Sequence, residues 1–500
     1  MQLRQVITSL KILGIEGPAD REIVGITYDS RRVTPGMVFV AIPGRNVDGH
    51  SFISSAIDRG AAAIVCENNR FLPERATKIV VAHSREALAQ MAAAFYQHPS
   101  AHLKVIGVTG TNGKTTVAFM VKQILEAAGT RTGLLGTIRY EIGERMIPAQ
   151  RTTPEALEVQ QMLAQMVRAG CQACVMEVSS HALEQKRVDG VQFDVAIFTN
   201  LTRDHLDYHG TMERYFQAKK KLFAARQNGE KQGGAAVINI DDAFGSRLAQ
   251  DNELAVRLTY GIERAAHLRA TQIQLSRDFT RMRVETPTAN FMCDLPLIGR
   301  HNVYNALAAT AAAHVLQISP HCIQKALASM LPVPGRLEAI NLGQPFAVLV
   351  DYAHTDDALF NVLTTLREIT PGRLLLAFGC GGSRDAGKRP KMGQVAAQLA
   401  DWCLITSDNP RKESAAAIAS QIEAGYRTVR SEGYHIELDR RRAIDELMRE
   451  AKAKDTVLIA GKGHETYQEF EDTVVPFDDR VCAQETLENL GFSAAKPLKN

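Results

Sequence analysis

Gly107-Val-Thr-Gly-Thr-Asn-Gly-Lys-Thr-Thr116 stands between an apolar run at residues 103–108 and a segment, residues 115–128, whose apolar positions Val117, Met120, Val121, Ile124 and Leu125 recur at helical spacing. Gly129 supplies the stop. A Gly-rich turn between strand and helix presents backbone N–H groups and a helix N-terminus to an anion, so this stretch predicts a phosphate loop. Lys114 then reaches the β/γ phosphates, and the Thr115 hydroxyl is placed to ligate Mg²⁺. The loop is a variant: strict spacing requires Gly where Val108 stands, and Gly110 and Gly113 carry the turn instead.

Outward from the loop, two more apolar runs, residues 173–178 and 195–199, are separated by helical pattern, which predicts a parallel sheet with crossover helices. This unit closes near Pro332-Val-Pro-Gly335. Upstream, runs at 23–28, 37–42, 61–65 and 78–81 with a helical stretch at 85–96 form a smaller unit ending at His98-Pro99-Ser100. Downstream, runs at 347–350, 374–378, 402–406 and 456–460 repeat the alternation. Five hundred residues exceed one ordinary core. The expectation is therefore an α/β protein of three domains: a small N-terminal α/β domain (1–98), a central P-loop-type ATPase domain with a mostly parallel sheet (99–333), and a C-terminal Rossmann-like domain (334–500). Residues 494–500 are expected to be a loose tail.

The formal charge is +3 with acids and bases interspersed, which argues against non-specific binding to nucleic acid or to an anionic membrane. Residues 1–14 read as amphipathic rather than as a signal segment, and no later stretch is apolar enough to span a bilayer. Eight cysteines without framework spacing suit a reduced compartment. A soluble cytoplasmic enzyme is expected. Cys171 and Cys174 form a CxxC without a second ligand pair, so buried structural thiols are the better reading.

In open parallel sheets, ligands collect beyond the carboxyl ends of strands. Glu177, Asn200, Asp351, the loop at 379–382, Asp408-Asn-Pro-Arg411 and Gly461-Lys-Gly-His-Glu465 all fall there. Glu177 is a hard oxygen ligand suited to Mg²⁺ beside Thr115, and His205 is a candidate for a second metal. By spacing alone, loop-capping or core histidines are the better reading of His205 and His209. Lys219, in Lys219-Lys220-Lys221, reads as part of a solvated helix face.

Taken together, Gly110-Thr-Asn-Gly-Lys-Thr-Thr116, Glu177-Val-Ser-Ser-His181, Thr199-Asn-Leu201 with Asp204-His205, Tyr215-Phe-Gln-Ala-Lys219, Gly299-Arg-His-Asn-Val303 with Asn305, Pro334-Gly-Arg336, Asp351-Tyr-Ala-His354 and Gly461-Lys-Gly-His-Glu465 resemble the Mur ligases over nearly the whole chain. Within that family the pattern is most similar to the branch that adds meso-diaminopimelate to a UDP-linked muramoyl-dipeptide in peptidoglycan synthesis. The resemblance implies ATP and Mg²⁺, with Gly110, Thr111, Asn112, Gly113, Lys114, Thr115 and Thr116 on the phosphates, Asn302 and Asn305 near the adenine, and Arg336 and Asp351 opposite. It places Tyr28, Asp29, Ser30, Arg45, Asn46 and Val47 near the uridine diphosphate, and Thr152, Thr153, Ser179, Gln185 and Arg187 on the muramoyl-dipeptide. It reverses the reading of Lys219, which matches a lysine that the family carbamylates with CO₂. The carbamate would hold metal with His205, as Thr115 and Glu177 would hold another. Arg384, Asp408, Asn409, Pro410, Arg411, Gly461 and Glu465 match contacts to diaminopimelate. Lys114, Lys219, His205 and Glu177 are the catalytic set implied, the partners are small molecules, and a monomer is expected.

Diaminopimelate carries a distal carboxylate that lysine lacks, and an Arg fork binds it with paired hydrogen bonds. With lysine bound, Arg411 is expected to be left unpaired, at a cost of several kcal/mol, on the order of a thousandfold discrimination. Asp356 stands where the family usually has Pro, and Lys412-Glu413-Ser414 where Ser-Glu-Asp is commoner; both put loop shape in question rather than chemistry. The rival readings are another ligase of the same fold, lysine-adding or folylpolyglutamate-synthase-like, and a nucleotide-driven switch.

Overall fold

The computed structural model describes residues 1–44, 47–68, 75–224, 234–251, 254 and 256–493. Arg45, Asn46 and the expected tail at 494–500 lie outside them. Among the described residues three large sheets follow one another along the chain. The first has five strands in the order Ile12–Glu16, Thr77–Val81, Ala63–Cys66, Met37–Val40, Gly25–Thr27, parallel except for its first strand. Residues 1–14, read from sequence as amphipathic, split into the helix Leu3–Ile7 and the start of that antiparallel edge strand.

The second sheet has eleven strands, with Lys104–Thr109 at its middle between Val195–Phe198 and Ala173–Glu177, both parallel to it. Both faces of that strand are covered. Ile106 and Val108 pack with Val117 and Val121 of the helix Lys114–Ala127, while Val105 turns to the opposite face with Leu163 and Phe193. A strand buried on both faces reads as a continuous apolar run, which is why this one is plain in the sequence. The outer strands Leu268–Leu275, Thr280–Glu285 and Asn290–Leu295 are half-exposed and pair antiparallel in turn, and their polar alternation leaves no continuous apolar run.

The third sheet runs Glu338–Ala339, Ala347–Asp351, Thr456–Ala460, Leu374–Phe378, Trp402–Ile405, Tyr434–Ile436, parallel apart from its first strand. A separate hairpin, Tyr467–Phe470 with Thr473–Pro476, follows it. The departures at 356 and 414 leave the helices intact. Thr355 caps the helix Asp356–Ile369 by accepting from the Ala358 amide, and Asp356 takes a first-turn position where an acid is as suitable as Pro. Ser414 caps Ala415–Arg427 as Asp would. Cys171 and Cys174 are buried free thiols, as read. Among the described residues no helix is long and apolar enough to cross a membrane.

Candidate active site

The phosphate loop leaves the carboxyl end of the middle strand, where neighbouring connections diverge to either side and open a crevice. A cavity of about 630 Å³ lies there. Its walls come from the loop (Thr111 to Thr116), from Glu177, His205 and Lys219 of the second sheet's layer, from Asn302 and Asn305 at the start of the helix Arg300–Val315, and from Arg336 and Asp351 of the third unit.

Glu177 ends its strand fully buried and accepts from the Thr115 hydroxyl (2.9 Å), the Thr137 amide (2.8 Å) and the Thr137 hydroxyl (2.9 Å). Thr137 escaped the sequence reading because the short buried strand before it, Thr132–Leu135, was not recognised. Lys114 donates to the Gly110 and Thr111 carbonyls at 2.9 and 2.7 Å, so its side chain braces the loop itself. Lys219 is 1% exposed, and its amine donates to the same Gly110 carbonyl at 2.8 Å. The lysine run is thus divided: Lys220 and Lys221 point outward to Asp251 and Glu184, while Lys219 lies on the inward face of Met212–Ala224 with Tyr215 and Leu222. Burial first, then repulsion by Lys114, pushes the Lys219 amine well below its ordinary pKa.

Thr115, Glu177 and His205 offer hydroxyl, carboxylate and imidazole donors. Among the described residues no three His, Cys, Asp or Glu side chains form a cage by themselves. That composition fits Mg²⁺, which binds through one or two carboxylates and keeps substrate phosphates and waters for its other positions. Asn112 of the loop and the Thr202 hydroxyl both donate to Asp357 of the third unit (2.8 and 2.9 Å), and Arg336 donates to the Thr115 hydroxyl (3.3 Å). The third unit therefore reaches onto the phosphate loop. Asp357 was not read from sequence, since nothing local marks it.

Burial lowers the His181, His205, His301 and His354 rings to about 4 and His464 to about 3, below the ordinary 6.5. These rings are neutral at pH 7. Below pH 6.5 the unfolded chain takes up protons that the folded chain refuses, so stability falls as pH drops from about 6.5 toward 4. Thermal midpoints at pH 7.5 and 5.0 check this, and equal midpoints would contradict the burial of these rings.

Toward the first unit, Thr152, Thr153, Ser179, Gln185 and Arg187 form one network. Thr153 donates to the Glu177 carbonyl (2.9 Å) and accepts from the Ser179 amide (3.0 Å), while Arg187 donates to the Thr153 carbonyl (2.9 Å) and to Gln185 (2.6 Å). Thr137 ties Thr152 to Glu177. Tyr28 meets this region by donating to Glu158 at 3.0 Å. Asp29 is held by the Arg31 fork and caps Ser30–Arg32; Val47 is exposed.

Apart from Arg384, the residues matched to diaminopimelate gather beyond Tyr352, whose ring lies 5.0 Å from that of His464. Asn409 donates to Glu465 (2.9 Å), and Lys462 donates to both (3.1 Å each). A Cβ on Gly461 would lie 2.7 Å from Asp408 Oδ2, so glycine permits that approach. The Pro410 carbonyl accepts from the Glu413 amide, which turns the chain behind Arg411. Arg384 stands exposed, apart from this network. Arg411 does not line the nucleotide-side cavity. Its guanidinium has partners, Glu469 (2.8 Å) and the Gly382 carbonyl (2.9 Å), so the expectation that it would be left wholly unpaired needs correction. Were a ligand carboxylate to meet Arg411, its loss would forfeit one charge-assisted hydrogen bond of about 1.5–3 kcal/mol, roughly 10- to 100-fold, in place of a thousand.

Three family models match: the Mur ligase family catalytic domain at residues 22–96, the Mur ligase middle domain at 108–313, and the Mur ligase glutamate ligase domain at 335–463. A protein named UDP-N-acetylmuramoyl-L-alanyl-D-glutamate--2,6-diaminopimelate ligase from Syntrophomonas wolfei is 45% identical, covering 97% of this chain and 99% of that one. The chain belongs to the Mur ligase family. A second relative of the same name, from Solibacter usitatus, is 44% identical over 98% of the chain and 99% of its own length. A solved structure of that name superposes with TM-score 0.71 at 31% identity, covering 99% of this chain and 100% of the other. A Mycobacterium tuberculosis folylpolyglutamate synthase shares the fold at TM-score 0.61 and 18% identity, over 82% and 96% of the two chains. As a Mur ligase, the protein is an enzyme that forms amide bonds.

Proposed function

We propose that this Mur ligase joins meso-diaminopimelate to the D-Glu γ-carboxylate of UDP-N-acetylmuramoyl-L-alanyl-D-glutamate at the expense of ATP, in the cytoplasm and as a monomer, without stable membrane association. The supporting observation is the single cavity in which the phosphate loop, Glu177 and Lys219 meet Arg336 and Asp351 of the third unit. Residues 1–98 take the UDP end, 99–333 the ATP, and 334–500 the incoming amino acid. Tyr28, Asp29 and Ser30 would face the uridine diphosphate, and the network from Thr152 to Arg187 would hold the muramoyl-dipeptide beside Glu177.

The carboxylate attacks the γ-phosphorus of ATP, giving an acyl phosphate and ADP. The neutral amine of diaminopimelate then attacks the acyl carbon, and the tetrahedral adduct loses a proton and expels phosphate. Lys114 exchanges its two loop carbonyls for the nucleotide's phosphate oxygens, while the loop amides hold the chain in line. Asn302 and Asn305 would lie beside the base. Mg²⁺, held by Thr115 and Glu177, would neutralise phosphate charge. Lys219, whose amine burial and Lys114 hold well below its ordinary pKa, is suited to combine with CO₂; its carbamate would retain one N–H for the Gly110 carbonyl and gain oxygens that, with His205, would suit a second Mg²⁺.

ADP release measured with ATP, Mg²⁺ and the UDP-muramoyl-dipeptide should be fast with diaminopimelate and about 10- to 100-fold poorer in kcat/KM with lysine. Equal rates would refute the amino-acid assignment. ATP turnover indifferent to both substrates would instead favour a nucleotide-driven switch.

A further inference from the structure

The hairpin Tyr467–Pro476 is zipped to the loop that carries Arg411. The Arg411 amide donates to the Glu469 carbonyl at 3.0 Å, the Glu471 amide donates to the Arg411 carbonyl at 2.7 Å, and Gln468 donates to the Asp408 carbonyl at 3.0 Å. Arg411 itself sits in the left-handed region, with φ +52°. A non-glycine residue keeps that conformation only when its surroundings impose it, and such positions cluster at ligand clamps.

The side chain is imposed upon as well. Nε donates to Glu469 Oε2, and Nη1 donates to the Gly382 carbonyl. Beneath it, a Cβ on Gly381 would come within 3.0 Å of Nη1. Two fixed nitrogens set the plane of a guanidinium, and Nη2 is left without a hydrogen-bond partner among the described residues. A carboxylate competing for the ligand's place would take the Nη1/Nη2 end in a bidentate pair; Glu469 holds only Nε, on the side edge that Nε shares with Nη2.

We infer that Glu469 is a positioning residue for amino-acid selection, an internal anion that locks the Arg411 fork so that its Nη2 edge meets the distal carboxylate of the incoming amino acid. This rests on the diaminopimelate reading above. Two effects oppose each other. Glu469 repels the ligand carboxylate, but its side chain is 33% exposed and solvent screens that repulsion. Loss of preorganisation costs the charge-assisted bond directly, and it dominates.

The test is steady-state ADP release by the full-length enzyme, wild type, Glu469→Ala and Glu469→Gln, with diaminopimelate and with lysine. Glu469→Ala should raise KM for diaminopimelate about tenfold while kcat stays within about twofold and KM for lysine hardly moves. Glu469→Gln, whose amide oxygen still accepts from Nε, should fall between the two. An unchanged or lower KM for diaminopimelate in either variant overturns the assignment, as does an equal rise for both amino acids, which would mark general damage to the loop. Should Glu469→Ala fail to fold, the Gln variant decides. Wild-type enzyme indifferent to the two amino acids would sink the diaminopimelate reading; a selective wild type with equally selective variants would sink only the role of Glu469.

Discussion

Lys219→Ala should lower kcat/KM by about a thousandfold, the scale of removing one preorganised electrostatic group from a water-poor site, and millimolar acetate or formate should restore part of it. The reason lies in the contrast between residue type and place. A lysine with 1% exposure, in hydrogen-bond contact with a loop carbonyl and repelled by Lys114, is a poor home for an ammonium. It is a good home for a neutral amine that captures CO₂ and so becomes an anion. A small carboxylate diffusing into the vacated space would supply the oxygens of the proposed carbamate, a rescue that a merely structural lysine would not allow. Labelled CO₂ should give a carbamate carbon signal in wild type that the variant lacks. Full activity in Lys219→Ala would leave the residue a buried packing lysine with no part in the chemistry. Loss without any rescue, in a variant that melts like wild type, would assign the amine itself.

What was legible in the sequence follows from burial. Strands covered on both faces, such as Leu374–Phe378 and Thr456–Ala460, appear as uninterrupted apolar runs and were read at their observed positions. The half-exposed strands from Leu268 to Leu295 and the short Thr132–Leu135 carry no such signal, and with the latter went Thr137, a direct partner of Glu177. Lys219 shows the limit differently. Three consecutive lysines cannot be told apart by composition; only the helical phase set by Tyr215 and Leu222 turns the first inward. The partners Asp357 and Glu469 come from elements 245 and 58 residues distant from the groups they hold, so no local pattern announces either. The phosphate loop was legible because its function is written into backbone conformation, which only certain residues permit.

Gly110 is where that permission is narrowest, and Gly110→Ala should cost at least about a hundredfold in kcat/KM for ATP, the scale of misplacing reacting groups by an ångström. Its φ is +154°, a region that L side chains rarely adopt, and an added Cβ would land far inside van der Waals contact distance of Thr199 Oγ1 and 3.1 Å from the Asn200 amide nitrogen. Thr199 has little freedom to yield, since its hydroxyl donates to the Asn112 carbonyl at 2.6 Å and so closes the loop from the neighbouring strand. The Gly110 carbonyl also accepts from both Lys114 and Lys219, so any shift there moves the two lysines together. A stability change alone would not distinguish this from ordinary strain, and Gly129→Ala supplies the comparison. Gly129 has φ +81° at the end of the same helix but open space around its missing Cβ. That substitution should cost on the order of 1 kcal/mol in stability and leave KM for ATP where it was. If Gly110→Ala behaves like Gly129→Ala, losing stability but keeping ATP affinity and turnover, then the loop has more room than this packing allows and the coupling of the two lysines through one carbonyl is wrong.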